Sequence, residues 1–262
     1  MGGHFAGRFV VFRVLTLNLW NISEPLERRY KALAAGLAKL RPEIVCLQEV
    51  YRDPKSGRSQ AELVAGMGRL EHHVGESGLS IVSSRPIEKP AIWDLPQVPD
   101  DPPRQVLLAE ISIEGRRLLV INTHLAYEPK MVEGRRMQAE AMLAAIRRHD
   151  PPPGKCPTVL CGDFNDVAGS PAIRLILSDA IGFRDVFAGC HPRSSGFTFS
   201  PRNPYVERSW TEDERIDYVF VSPGLTAIKC AVVFDGADGL DFASDHFGVL
   251  CDLEFSGRPH SM

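Results

Sequence analysis

The sequence predicts an α/β fold in which β-sheets pack against each other and helices cover the outside. Three observations carry this expectation. Short apolar runs with strand character recur from Val10 to Phe255, but stretches of helical period separate only some of them. "QVLLAEISI" and "RRLLVINTHL" flank Glu114-Gly115 as a hairpin, which makes the sheets mixed rather than purely parallel. No repeat, low-complexity linker or shift in composition interrupts the 262 residues. The chain 1–262 is therefore expected to form one domain, long enough for a large core without disulfides or a structural metal.

The elements follow in order. Val10 to Leu19, rich in Val, Leu and Phe, reads as a first strand. Ser23 is placed to cap a helix with Pro25 in its first turn, because Leu26, Tyr30, Leu33, Leu37 and Leu40 recur at helical spacing before Pro42 ends it. "EIVCLQ" is a second strand, residues 59–70 a weaker helix, and "GLSIVSS" a short third strand closed by Arg85-Pro86. A Pro- and Asp-rich loop from Pro96 to Pro103 leads into the hairpin. Residues 133–149 form an amphipathic helix broken by "PPPGK", and "PTVLCGD" is the next strand. Ser170-Pro171 opens another helix, a Ser cap followed by Pro at the first helical position. After an irregular stretch, 188–215, the strands "IDYVFVS", "AIKCAVVF" and "FGVLCDLEF" close the chain.

Composition narrows the function classes. Hydrophobic and charged fractions of 44% and 24% are those of an ordinary globular protein, and no apolar run reaches the length of a membrane span. "FVVFRVLTL" is interrupted by Arg13 and lacks a cleavage site, and "MGGHFA" has Ala6 where a myristoylation signal needs Ser or Thr, so neither is read as targeting. Thirty-three acidic against 30 basic residues argue against a broad basic surface for nucleic acid. The pairs Arg28-Arg29, Arg135-Arg136 and Arg147-Arg148 read first as solvated helix charges and second as phosphate contacts. The cysteines at 46, 156, 161, 190, 230 and 251 form no CxxC pair, and Cys46, Cys161 and Cys251 lie in apolar strand runs. Buried free thiols in a reducing cytoplasm are expected.

One feature recurs at the strand ends. "TVLCGDFND" begins as a buried strand and finishes in Asp163, Asn165 and Asp166; "LTLNLW" finishes at Asn18, "IVCLQEV" at Gln48 and Glu49, and "LLVINTHL" at Asn122 and His124. Asp217 begins "IDYVF", and Asp245-His246 precede the last strand. Singly, each suits a turn, a surface charge or a structural histidine. Together they point elsewhere, because sheets align strand ends and bring such groups onto one rim.

In order, "TLNLW", "CLQEVY", "NTHL", "CGDFND", "RIDYVFVS" and "SDHFGVL" resemble the signature set of the endonuclease/exonuclease/phosphatase superfamily, and "GLSIVSSRPI" is similar to a further family segment. The resemblance covers residues 12 to 255 or so, closest to the broad bacterial metal-dependent hydrolases. It implies a DNase I-like four-layered αββα sandwich of two mixed β-sheets flanked by helices, and metal-dependent hydrolysis of a phosphoester. Such a reaction must neutralise the phosphoryl oxygens and activate water. Carboxylates and amide oxygens suit Mg²⁺ or Mn²⁺ rather than zinc.

By the same resemblance Glu49 is the principal metal ligand, with Asn18 beside it and Asp245 at or around the metal. Asp163 orients or deprotonates the attacking water, and Asn165 and His124 donate hydrogen bonds to phosphoryl oxygens. His246 contacts the phosphate or shares in proton transfer, with Asp217 fixing its tautomer and raising its pKa. Asp163 and His246 both stand as the base, and one or two metals stay open. Asn122, Arg208 and Trp210 are expected to touch substrate. The expected activity is a nuclease-like phosphodiesterase acting on a phosphoester, nucleic acid among the candidates, as a monomer without stable membrane insertion. A neutral sphingomyelinase-like phospholipid phosphodiesterase and a catalytically inactive binding scaffold on the same fold are the alternatives.

Overall fold

The computed structural model describes residues 10–149 and 156–257. The helix breaker "PPPGK" and the opening "MGGHFA" lie outside the described residues. The chain runs β1 (Val11–Asn18), α1 (Leu26–Leu40), β2 (Ile44–Val50), α2 (Gln60–Gly68), β3 (His72–Ser83), β4 (Ile87–Asp94), β5 (Gln105–Ile113), β6 (Arg116–His124) and α3 (Val132–Arg148). It continues through β7 (Thr158–Asp163), α4 (Pro171–Ser178), β8 (Arg184–Asp185), α5 (Val186–Cys190), β9 (Asp217–Val221), β10 (Leu225–Val233) and β11 (Gly248–Phe255).

The strands form two mixed sheets, β10-β11-β1-β2-β3 and β4-β5-β6-β7-β9-β8. Alternation of side chains along each strand decides what the sheets bury. On β1, Phe12 and Val14 face the other sheet, while Leu15 and Leu17 face α1 and α2. On β7, Val159 and Cys161 face inward and Leu160 packs toward α3 and α4. Three apolar layers therefore separate helices, sheet, sheet and helices, which is the four-layered sandwich the motifs implied.

Several elements depart from the sequence reading, each for a local reason. Strand β4 was not expected, because "IEKPAIWD" is half exposed and carries Pro90. It is an edge strand whose pairing with β5 shifts between Glu88 and Ala91, where a proline is tolerated. Strand β3 begins at His72 rather than Gly78, and the short β8 and α5 lie within or beside the stretch read as irregular. Ser23 does not cap α1: Pro25 occupies that position, and Glu24 accepts a hydrogen bond from the Leu26 amide at 2.8 Å. Ser170 does cap α4, accepting from the Ile173 amide at 3.3 Å with Pro171 behind it. The six cysteines are free and all but Cys190 are buried. No helix among the described residues is long and apolar enough to cross a membrane.

Candidate active site

The inward-facing register explains why polarity gathers at one end of the sandwich. Asn18 lies two residues beyond Thr16 on the inner face of β1, His124 two beyond Asn122 on β6, and Asp163 two beyond Cys161 on β7. Parallel pairing aligns β1 with β2, Asn18 opposite Gln48, and β6 with β7, His124 opposite Asp163. Strand β9 runs antiparallel, so its first residue, Asp217, falls beside Asp163. Glu49 sits at a bulge between Gln48 and Val50 with φ of 52°, a conformation a non-glycine residue rarely adopts. Gly162 is required as well, since a Cβ there would stand 2.0 Å from the Thr123 carbonyl oxygen.

The side chains converge. The Asn18 amide nitrogen donates to Glu49 Oε1 at 3.1 Å and to Asp163 Oδ2 at 3.0 Å. His124 Nε2 is 3.4 Å and His246 Nε2 3.7 Å from the same Asp163 oxygen. His246 Nδ1 bonds Asp217 Oδ2 at 3.0 Å, as the resemblance implied. Asp245 accepts from the Ser244 hydroxyl at 3.1 Å and feels the charge of Glu49. Asn165 bonds back through its amide to Asp163 Oδ1 at 2.8 Å, and its side chain donates to the Leu125 carbonyl at 3.0 Å. These residues line, or lie just beneath, a cleft of about 1370 Å³ that also takes in Trp20, Tyr127, Arg135 and Trp210.

Burial and charge set the protonation states. Burial outweighs the pull of Asp163 and holds the His124 imidazole down to about 4, so this ring is neutral at pH 7. Burial opposes charge on His246 too, but Asp217, Asp163 and Asp245 together overcome it and keep the ring cationic well above the usual histidine range. Asp163 is raised by burial and by Asp217. Burial pushes the Asp245 carboxyl up to about 6, with His246 opposing and Glu49 reinforcing the shift. Crowded carboxylates of this kind are relieved by a hard cation. In metal-stripped protein, ¹⁵N spectra of the ring nitrogens should find His246 doubly protonated and His124 neutral at pH 7, with His246 losing its proton more readily in Asp217→Asn. Two neutral rings in the unsubstituted chain would contradict this assignment.

Two expected roles need correction. Asn122 does not reach the cleft: its Oδ1 accepts from Gln48 at 2.6 Å, and its amide donates to the Leu47 and Ser80 carbonyls at 2.7 and 2.9 Å. It is a buried inter-sheet link beneath the site, because inward polarity one rung below the rim must be satisfied internally. Asn18 Oδ1 accepts from the Trp20 amide at 2.9 Å, while its nitrogen spaces the Glu49 and Asp163 carboxylates. Of the other two expected substrate contacts, Trp210 lines the cleft, while Arg208 is exposed outside it.

Arginines read as solvated helix charges carry part of the support. Arg29, 1% exposed, donates to the Leu19, Ser23 and Ala243 carbonyls and lies under the Trp20 ring. Arg135 donates to the Ala126, Glu128 and Pro129 carbonyls after His124 and faces Asp166 at 3.4 Å. The signal was in the period: Arg29 falls on the buried stripe with Ala32, Leu33, Gly36 and Leu37, and Arg135 on that of Gln138, Ala139 and Met142. Asn203, unremarked in the sequence, donates to the Ser244 and Asp245 carbonyls at 2.9 and 2.8 Å and ties the irregular stretch to the segment that carries Asp245 and His246.

The sequence pattern of the Endonuclease/Exonuclease/phosphatase family matches residues 15–246. The chain belongs to that family. Protein angel homolog 2 of Danio rerio is 30% identical over 203 residues, which cover 68% of this chain and 34% of that protein. The 2',5'-phosphodiesterase 12 of Homo sapiens is 26% identical over 283 residues, 88% of this chain and 46% of the relative. The chain thus spans a third to a half of these curated relatives. A crystal structure of D. rerio TDP2 complexed with single strand DNA product superposes with a TM-score of 0.76 at 19% identity, covering 93% of this chain and 98% of that one, which establishes the shared fold.

Proposed function

We propose that this protein is a divalent-metal-dependent phosphodiesterase of the nuclease-like type, cleaving by in-line attack of an activated water. The observation that carries the reading is the single Asn18 amide bonded to both Glu49 and Asp163, with both histidines beside the same Asp163 oxygen. One relative is named as a 2',5'-phosphodiesterase, and a protein of the same fold is bound to single strand DNA product, which agrees with a phosphodiester substrate.

Glu49 and Asp245 are the residues that would hold Mg²⁺ or Mn²⁺. Asp163, Asp217 and His246 also bring ligand atoms within 4.8 Å of one another, but His246 Nδ1 is already bonded to Asp217. A bound divalent ion supplies charge neutralisation at the phosphoryl oxygens. The protein's own groups do the rest. Asp163 accepts the proton of the attacking water, a role favoured over His246 because the latter already carries its proton. His246 holds its positive charge toward the phosphoryl group and can pass a proton to the departing oxygen. Neutral His124 and the second amide hydrogen of Asn165 donate to non-bridging oxygens.

Hydrolysis of bis(p-nitrophenyl) phosphate with added Mg²⁺ or Mn²⁺ tests the reading, with EDTA as the control. A panel of plasmid DNA, abasic duplex, poly(A), sphingomyelin and inositol phosphates, with Asp163→Ala as the blank, then sorts substrates. EDTA-sensitive turnover absent from Asp163→Ala is expected. Folded protein without metal-dependent turnover on any phosphoester would favour a binding scaffold, and turnover confined to sphingomyelin a phospholipid enzyme.

A further inference from the structure

The charge of the cleft is the wrong sign for a surface that follows a nucleic-acid backbone. Among the described residues it is lined by seven carboxylates against three arginines, the cationic His246 ring and no lysine. Each arginine is already engaged: Arg52 pairs with Glu76 at 2.7 Å, Arg104 grips Asp101 with bonds of 2.7 and 2.9 Å, and Arg135 serves three carbonyls and faces Asp166. No salt bridge among the described residues joins Glu128, Glu207 or Glu214 to a cation. Glu214 registers the resulting field, its carboxyl raised by burial and then by Glu212, with Arg135 opposing and Asp166 adding to the rise. Even a bound divalent ion leaves this lining acidic, and a chain of phosphates laid along it would meet repulsion beyond the first.

What the cleft does offer is aromatic surface close to the reacting centre. Phe199 lies 4.9 Å from the His246 ring and meets Trp210 edge-on at 5.4 Å. Trp20 and Tyr205 also line the cleft and stack on each other at 5.8 Å, with the Arg29 guanidinium 4.9 Å from the Trp20 ring centre. Aromatic rings lining a cleft beside the reacting centre offer surface to a flat, uncharged group attached to the phosphate.

We propose that the cleft selects a short phosphodiester, one phosphate flanked by aromatic bases as in a dinucleotide or the last residues of a strand, and discriminates against long or duplex polyanions. The proposal rests on the phosphodiesterase reading above and specifies its substrate class. It inverts the usual ionic-strength behaviour. An enzyme that binds by releasing counterions from a polyanion loses affinity steeply with salt. Here salt screens repulsion, so kcat/KM on a long strand holds or rises as salt increases, and kcat/KM on a dinucleotide changes little.

The test uses the full chain with saturating Mn²⁺ on the dinucleotide ApA, single-stranded poly(A) and plasmid DNA, at about 50 and 250 mM NaCl. We expect kcat/KM on ApA to exceed that on plasmid at least about tenfold at the lower salt, and the gap to plasmid to narrow at the higher. Glu128→Gln combined with Glu207→Gln should raise turnover of plasmid relative to ApA, and Trp210→Ala should raise KM for ApA about tenfold or more. Plasmid turned over as well as ApA, with kcat/KM falling tenfold or more between the two salts, would overturn the proposal while leaving the phosphodiesterase reading intact. No EDTA-sensitive hydrolysis of any of the three, or of bis(p-nitrophenyl) phosphate, would remove both.

Discussion

Asp163→Asn is expected to lower kcat roughly 10³-fold, on the order of 4 kcal/mol of barrier, in a protein that still folds. The Asp163 carboxylate is the point on which Asn18, His124 and His246 converge, and it is the group proposed to take the water's proton. Asparagine has the same shape but cannot accept that proton. It also removes one of two buried carboxylates that repel each other, since Asp217 contributes to raising Asp163. Against that gain, Asp163 accepts through both oxygens, from Asn18 and from the Asn165 amide, and asparagine must turn its NH₂ toward one of these donors. The two effects oppose, so the shift in thermal unfolding should be small. An inactive variant that also melts early would mean only a damaged fold, and an active one would remove Asp163 from the reaction.

The second large effect is on stability. Arg29→Met should cost about 3 kcal/mol or more, because it leaves the carbonyls of Leu19, Ser23 and Ala243 buried without a donor. For a chain of this size that lowers Tm by roughly 6 °C or more. Urea unfolding measures the loss. Those carbonyls belong to the turn that carries Trp20 and to the segment just before Asp245, so kcat/KM should fall as well at temperatures where the variant is still folded. A neutral Arg29→Met would mean that water reaches these carbonyls.

The same two residues mark how far the sequence could be read. Asp163 was legible because it ends an apolar strand, and a period of two fixes the face on which it must emerge. Asn18, His124 and Asp217 were legible for the same reason, and the motif order supplied the sandwich. Asn122 misled because it shares that face and lies one rung deeper: alternation gives the direction of a side chain and not its depth. Arg29 and Arg135 were hidden by a default that treats arginine pairs as solvated, although their helical positions matched the buried stripe. Strand β4 escaped because an edge strand needs neither an apolar face nor freedom from proline. The direction of Arg208, and the engagement of Arg52 and Arg104 by carboxylates distant or near in sequence, depend on loop paths that no local pattern encodes.

Mn²⁺ titration of the unsubstituted chain, followed by paramagnetic broadening of histidine ring resonances, tests most directly whether one ion sits where these strands end. A single saturable site that broadens His124 and His246 while sparing exposed histidines, and that is lost in Glu49→Gln, is the expected result. Saturable Mn²⁺ binding that leaves both rings sharp, or that persists unchanged without the Glu49 carboxylate, would contradict it.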